Sequence, residues 1–224
     1  MKILNLLMTS VLLSLPALSP AATVLFQDSF ESPPETVGSG NTVTQWGVSD
    51  NTRIYAVNTF ATTGTNSVFM RNSGSRTMTQ TAAVDITGTD GLIVSWWMRQ
   101  GSTYESGDTF SMKIDFGSGF QSVVADAGLA DGGNYTYSGT ENTLATDTGQ
   151  ASSFTQYNVT IDSSYYIGTL GASDIKLQFL HSTGSGGEDG YFDDITITAI
   201  PEPATLSLLF IGLGGLLFTR RKKK

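Results

Sequence analysis

Apolar and polar residues alternate along much of the chain between residues 22 and 200. In the clearest stretch, 92–99, one set of alternating positions is apolar throughout and consists of Leu92, Val94, Trp96 and Met98. A period of two is typical of a β-strand that buries one face. The same pattern predicts strands over 110–116, 157–161 and 175–179, and shorter strands at 68–70 and 195–197.

Clusters of Gly, Ser, Asn and Asp separate these stretches. They lie at 38–42, 87–91, 101–108 and 182–190, and a longer polar segment covers 126–150. Such residues favour turns and loops, and many short strands at this spacing are typical of two packed antiparallel sheets. The sequence therefore predicts an all-β fold, an antiparallel β-sandwich of the jelly-roll type, in a single domain over residues 22–200.

The first 21 residues have the order of a secretory signal peptide. Lys2 precedes an apolar stretch that runs from Ile3 to Leu15, and Pro16 and small residues up to Ala22 follow. This order predicts export, with cleavage after Ala21. The alternative is a retained N-terminal membrane helix, which the short apolar stretch and the proline after it disfavour.

The C-terminus, residues 201–224, contains three elements in a fixed order. Pro201-Glu202-Pro203 comes first, residues 204–218 follow without a charged side chain, and the basic residues 220–224 end the chain. A helix over 204–218 would span about 22 Å, enough to cross a bilayer that thins locally. The positive-inside bias keeps the basic end in the cytoplasm. We therefore expect a single transmembrane helix that holds the body outside.

Pro201-Glu202-Pro203, a short apolar helix with three glycines, and a basic end that starts with Arg220 and Arg221 resemble the PEP-CTERM sorting signal of Gram-negative bacteria. The resemblance implies that a membrane-embedded exosortase processes the chain near Pro201, Glu202 and Pro203. The body would be held at the inner membrane in the periplasm and then reach the cell surface or the medium. The alternative is a plain tail anchor, in which the prolines only end the chain before the helix.

Charge and composition narrow the function classes. Residues 22–200 hold six of the 12 Lys and Arg and 19 of the 20 Asp and Glu, which leaves them a net charge of −13. So acidic a body disfavours nucleic acid as a partner. The chain has no Cys and one His, which excludes disulfides, thiolate metal sites and multi-histidine metal catalysis.

A second resemblance covers most of the body. It rests on short motifs: Asp28-Ser29-Phe30-Glu31, Trp46, the segment from Gly64 to Met70, the segment 78–80, the strand 92–99, and the segment from Tyr191 to Ile197. Together they resemble the galactose-binding-like jelly rolls found among carbohydrate-binding modules. The resemblance implies a β-sandwich with a structural calcium ion where the first and last strands meet, and a sugar-binding face or loop rim that carries aromatic residues.

The calcium site also has an argument from the residues. If alternation continues along the last strand, Asp193 points inward with Ile195 and Ile197, where an unpaired carboxylate costs free energy. A calcium ion bound by carboxylates and backbone carbonyls would compensate it, and the candidate carboxylates are Asp193 or Asp194 with Glu31 or Asp28. The alternatives are a β-bulge that turns Asp193 out to solvent, or hydrogen bonds from backbone amides.

Sugars bind to flat aromatic rings and planar polar side chains. Alternation places Trp97 and Arg99 on the outer face of their strand, with Lys113 and Asp115 on the outer face of the next one. Residues Tyr104, Tyr135 and Tyr137 are candidates for a loop rim. The alternative is that the tryptophan pair fills two buried faces and that the tyrosines only pin the loop.

Three functions are compatible with these features. The main hypothesis is a non-enzymatic cell-surface or matrix protein, sorted through its C-terminus and associated with exopolysaccharide. A carbohydrate-binding module with a defined glycan ligand is the alternative, and a glycoside hydrolase is the least favoured. The sequence has no Gly-x-Ser-x-Gly motif, the pattern places His181 at a strand end, and Asp147-Thr148-Gly149 lacks the apolar strand that precedes an aspartic-protease triplet. We expect no catalytic residue.

Overall fold

The computed structural model describes residues 21–31, 37–41, 43–71, 74–101, 108–126, 133–144, 153–184 and 188–201. Residues 22–201 form one compact unit. The predicted signal peptide, apart from Ala21, and the predicted transmembrane helix and basic tail lie outside the described residues. Within the described part of the chain, no helix is long and apolar enough to cross a membrane.

The described residues form fourteen strands and one helical turn. The strands are β1 Thr23–Asp28, β2 Trp46–Val48, β3 Ile54–Val57, β4 Ser67–Arg71, β5 Gly74–Gln80, β6 Val84–Asp85, β7 Gly91–Gln100, β8 Thr109–Asp115, β9 Phe120–Asp126, β10 Gly133–Tyr137, β11 Asn142–Leu144, β12 Thr155–Asp162, β13 Asp174–Thr183 and β14 Asp189–Ile200. A single π-helical turn, Ser164–Thr169, follows β12.

The strands pack as two sheets, which confirms the predicted all-β sandwich. The first sheet has the order β10-β12-β7-β14-β4-β3, with β1 also paired to β14. The second has the order β11-β9-β8-β13-β5-β2, with β6 paired to β13. Among the described strand pairs, β10 with β12 and β11 with β9 are parallel, and the others are antiparallel.

The inner faces of the two sheets form an aromatic core. Trp96 of β7 is fully buried, stacks on Tyr157 with ring centroids 5.2 Å apart, and contacts Phe110 and Phe179 of the second sheet. Such large rings bury more apolar area than any other side chain, so they contribute most to holding the sheets together. The alternating apolar residues of 92–99 are the ones that β7 buries in this core.

The strand after β7 does not lie next to it in the same sheet. The strand that follows β7 in the chain, β8, belongs to the second sheet and pairs with β13 and β9. Lys113 and Asp115 lie on the outer face of β8, as predicted, but this face belongs to the second sheet and not to the one that carries Trp97. Alternation shows which side of a strand is buried, but it does not show which sheet the strand joins.

Candidate functional site

The outer face of the first sheet presents Trp97 and Arg99 near its centre. Both residues are on β7, two positions apart, and both are partly exposed. In the pairing register, Trp97 lies between Gln156 of β12 and Asp193 of β14. Because directly opposite residues share a face of the sheet, these side chains form one row across it.

The two neighbouring tryptophans differ sharply in their surroundings. Trp96 is buried among core rings, whereas Trp97 makes no ring contact with any described residue. A partly exposed indole without a ring partner leaves a flat apolar face that a ligand can cover. The arrangement differs from the alternative in which both tryptophans are buried.

Planar amide side chains lie beside Trp97. Gln156 is exposed and is opposite Trp97 in the register, and Asn158 is partly exposed and is opposite Ser95. An amide offers both hydrogen-bond donors and acceptors in one plane, as vicinal sugar hydroxyls require. Sequence reasoning missed both residues, because a polar residue on the outer face of a strand is ordinary by itself.

A second group of aromatic residues covers the same face next to Arg99. We call it the outer aromatic cluster, and it consists of Tyr55, Val57, Phe60, Phe69, Phe154 and Tyr191. Phe60 meets Tyr191 edge to face with centroids 5.1 Å apart, and Phe69 lies 4.9 Å from Tyr191. The guanidinium of Arg99 lies 3.5 Å above the centroid of Phe60. This contact fixes the plane of the Arg99 side chain.

The 58–66 loop, which joins β3 to β4, brings Phe60 to this cluster, and Asp193 holds the loop in place. Its Oδ2 accepts hydrogen bonds from the backbone N–H groups of Thr62 at 2.6 Å and Thr63 at 3.3 Å. Its Oδ1 accepts a third, from the N–H of Asp194 at 2.8 Å. Asp193 is fully buried, and this burial raises the pKa of its carboxyl to about 7.

A β-bulge in β14 explains why Asp193 is in this position. The register of β14 against β7 shifts between Asp193 and Thr196, and Asp194 has a φ of 46°. At the same point β14 changes its other partner from β4 to β1. Asp193 therefore lies on the outer face, under the 58–66 loop, and does not share the inward face of Ile195 and Ile197 as alternation predicted.

The other carboxylates of the predicted calcium site meet the chain nearby. Glu31 Oε1 accepts hydrogen bonds from the N–H groups of Thr65 and Asn66, at 2.7 and 2.5 Å. Asp194 accepts from the hydroxyl of Thr63. Thus Glu31, Asp193 and Asp194 all contact the 58–66 loop. Asp28 instead accepts from the indole N–H of Trp46 at 2.8 Å and from the N–H of Phe30.

These contacts bear on the calcium prediction in two ways. Backbone amides supply the compensation for buried Asp193 that the sequence argument assigned to calcium. Asp193 Oδ1 and Glu31 Oε2 each accept one hydrogen bond from the described residues, and the other lone pair of each oxygen is the one that a cation would use. The described residues include no group of three or more Asp, Glu or His arranged to hold a metal ion, so backbone carbonyls would have to complete the shell. Calcium stays a prediction.

The predicted tyrosine rim has three different outcomes. Tyr104 lies outside the described residues. Tyr137 is 2% exposed and packs in the core on β10, where burial raises the pKa of its hydroxyl, so its assignment to a rim is wrong. Tyr135, on the same strand, is partly exposed and stacks on Tyr157. The polar segment 126–150 contains strands β10 and β11, which its composition concealed.

The single histidine, His181, is fully buried on β13. Burial lowers the pKa of its imidazole to about 4, so the ring is neutral at physiological pH. It faces the interior of the sandwich, away from the outer face that carries Trp97. The arrangement gives the outer face no imidazole for acid–base chemistry.

Comparison with known proteins accounts for the end of the chain. The family model of the PEP-CTERM protein-sorting motif matches residues 199–224. The chain carries a PEP-CTERM sorting signal. It is therefore an exported protein, as the C-terminal residues predicted. No curated protein sequence matches the chain.

Solved structures resemble the body. A family 61 carbohydrate-binding module in complex with β-1,4-galactotriose is 19% identical, over 75% of this chain and 92% of that chain, with a TM-score of 0.45. The family 22 xylan-binding domain from Paenibacillus barcinonensis is 13% identical, over 81% and 97%, with a TM-score of 0.45. The K2 cleaved adhesin domain of Lys-gingipain is 18% identical, over 77% and 98%, with a TM-score of 0.44. These are likenesses of β-sandwich architecture.

Proposed function

We propose that the β-sandwich is a non-catalytic glycan-binding module that acts outside the cell, on the outer face of its first sheet. The observation that carries the proposal is Trp97, a partly exposed indole in the middle of that face with no ring partner among the described residues. Indole faces stack on the C–H faces of sugars, and neighbouring amides pair the hydroxyls. The exposed Trp97 and its amide neighbours therefore favour a glycan-binding module over a surface protein that only accompanies exopolysaccharide.

The shape of the face suits an extended chain. The partly exposed side chains of this face lie on β7 and β12. Toward β14 the row ends at the fully buried Asp193, under the 58–66 loop. From Ser95 to Arg99 the face extends roughly 13 Å along β7, which fits more than one sugar unit of a polysaccharide.

The sorting signal indicates where the module would bind its glycan. The PEP-CTERM signal implies processing by an exosortase near Pro201, Glu202 and Pro203, with the body held at the inner membrane beforehand. Afterwards the module would be released, or displayed at the surface, where polysaccharide is available. The partners under this proposal are the exosortase and a glycan.

Affinity electrophoresis tests the proposal. The full chain in a mild detergent is run through native gels that contain β-galactan, xylan or the host's exopolysaccharide, next to Trp97→Ala. We expect retardation in at least one gel and at least a tenfold loss of affinity in the variant, which is about 1.4 kcal/mol.

Phe120→Ala is the matched control. Phe120 is 37% exposed on β9 in the second sheet, so its removal should leave retardation unchanged. Near-ultraviolet circular dichroism and the melting temperature show whether both variants remain folded. Retardation that survives in folded Trp97→Ala would refute the proposed face, and a folded wild type that no glycan retards would point to a protein partner instead.

A further inference from the structure

Two arginines flank the aromatic residues of the outer face. Arg99 follows Trp97 on β7, and Arg71 follows Phe69 on β4. Arg99 lies opposite Tyr191 in the register, and Tyr191 lies opposite Phe69. By strand spacing and rise, the two arginine Cα atoms are separated by roughly 12 Å. Arg99 therefore lies at the end of the row formed by Tyr191 and Phe69, and Arg71 lies in the adjacent row.

Neither guanidinium group forms an ion pair with a carboxylate that the structure describes. The ion pair among the described residues is Arg76 with Asp50, at 3.5 Å, on the second sheet. Asp189 is opposite Arg71 in the register, and no ion pair joins them. Burial raises the pKa of the Asp189 carboxyl, and the Arg71 charge only partly offsets this effect. On a body with a net charge of −13, two arginines that no described carboxylate pairs with are an unusual local arrangement.

The arginines are also partly desolvated. Nε of Arg71 and Nε of Arg99 are buried and donate no hydrogen bond. Burying a charged donor without an acceptor costs free energy, which a bound acceptor would return. The Cζ of Arg99 lies 3.5 Å from the centroid of Phe60, and the Cζ of Arg71 lies 5.8 Å from that of Phe69. Each guanidinium group is therefore in cation–π contact with a ring of the outer aromatic cluster.

We propose that this face selects acidic polysaccharides, in which sugar carboxylates pair with Arg99 and Arg71 while Trp97 carries a sugar ring. A guanidinium presents two parallel N–H donors that match a carboxylate. This inference rests on the proposed function and names its ligand class.

The charge of the body sharpens the argument. A domain with a net charge of −13 repels polyanions at long range, so nonspecific attraction does not produce binding. Affinity for an acidic glycan must then come from short-range contacts at a few cationic side chains. Each arginine should consequently account for a large share of it.

Titration calorimetry on the full chain in a mild detergent tests the inference. The probes are polygalacturonate, alginate and hyaluronate, with methyl-esterified polygalacturonate as the uncharged match. We expect at least one of the three acidic glycans to bind. If polygalacturonate binds, its affinity should be at least tenfold higher than that of its methyl ester. Arg99→Gln and Arg71→Gln should each lower the affinity for the acidic glycan at least fivefold.

The controls separate this inference from the proposed function. Arg76→Gln removes a cation on the other sheet and should leave affinity unchanged. Arg99→Lys keeps the charge and loses the two parallel donors, so it should remain weakened while the melting temperature holds. Trp97-dependent binding of neutral galactan or xylan, with none of the three acidic glycans bound, would overturn the inference and keep the proposed function. Equal affinity for polygalacturonate and its ester would also overturn it.

Discussion

Asp193 shows how one residue links the fold to the surface. Its carboxylate holds the 58–66 loop through backbone N–H groups, and that loop carries Phe60 to the outer aromatic cluster. The sequence correctly predicts that Asp193 needs compensation. It does not show that backbone amides provide it, because the bulge at Asp194 depends on where β14 changes partners.

The pKa of Asp193 predicts a pH effect on stability. A folded pKa of about 7, above the ordinary 3.8, means that the folded state binds the proton more tightly. The contribution is complete below pH 3.8 and is lost as the pH rises through about 7. Relative to Asp193→Asn, the free energy of unfolding should fall by on the order of 1 kcal/mol per pH unit in that window.

Urea unfolding of residues 22–201 with EDTA, at several pH values, measures this difference. The comparison with the variant is needed because His181 acts in the opposite sense. Its lowered pKa, about 4 against 6.5, contributes stability that is lost as the pH falls from 6.5 to about 4. A wild-type curve parallel to that of Asp193→Asn would show that the Asp193 carboxyl titrates normally.

Chelation tests the predicted calcium ion. If calcium bridges Glu31 and Asp193, EDTA should lower the melting temperature and added calcium should restore it, since a ligand that binds only the folded state stabilises it. Glu31→Gln should abolish the response. Asp50→Asn, at an exposed loop on the other side, should not. A melting temperature that EDTA leaves unchanged would refute the calcium prediction.

At the scale of elements, the partner change along β14 organises the site. The first half of β14 pairs with β4 and the second half with β1, while β7 pairs with both halves. The junction leaves space that the 58–66 loop fills. Period-two patterns located β7, β12 and β14, but no local pattern shows that a loop between β3 and β4 reaches across to the last strand.

Gly64 tests how tightly the loop is held. It has a φ of 65°, and a Cβ there would lie 2.5 Å from Oε1 of Glu31. Gly64→Ala should therefore destabilise the domain by about 2 kcal/mol, from backbone conformation and from the displaced carboxylate. We also expect weaker glycan binding, because Phe60 would shift.

Gly88→Ala is the control for that variant. Gly88 has a similar φ of 73° and nothing within 4 Å of an added Cβ, so only the conformational cost, about 1 kcal/mol, should appear. Denaturant unfolding compares the two variants. Equal losses at both positions would mean that Glu31 does not constrain the loop.

The whole molecule combines an export route with an acidic sandwich. Residues 199–224 match the sorting motif, and β14 continues to Ile200, whose carbonyl accepts the N–H of Asp90 at 3.1 Å. The last strand therefore ends immediately before the Pro-Glu-Pro motif. The sorting motif and the outer face proposed to bind glycan therefore lie in separate parts of the chain.

Substitution of the motif tests this separation. Replacing Pro201, Glu202 and Pro203 by Ala in an exosortase-containing host should leave a larger, membrane-bound precursor, seen by immunoblotting of cell fractions. The melting temperature of the body should not change, because these residues follow the last strand. Replacing Arg220 and Arg221 by Ala should likewise impair sorting. A processed, released product from the triple-alanine chain would contradict the assignment.

The sequence by itself determined the C-terminal sorting signal, the β class, the buried face of the main strands and the outer position of Trp97 and Arg99. Each of these follows from the order of short motifs or from the alternation of apolar and polar residues, and both are visible in consecutive residues of the chain. Only the tertiary structure decided that β8 lies in the opposite sheet, that Tyr137 is buried, and that Phe60 and Arg71 join the face. Those facts depend on contacts between residues far apart in the chain, whose pairing no local pattern specifies.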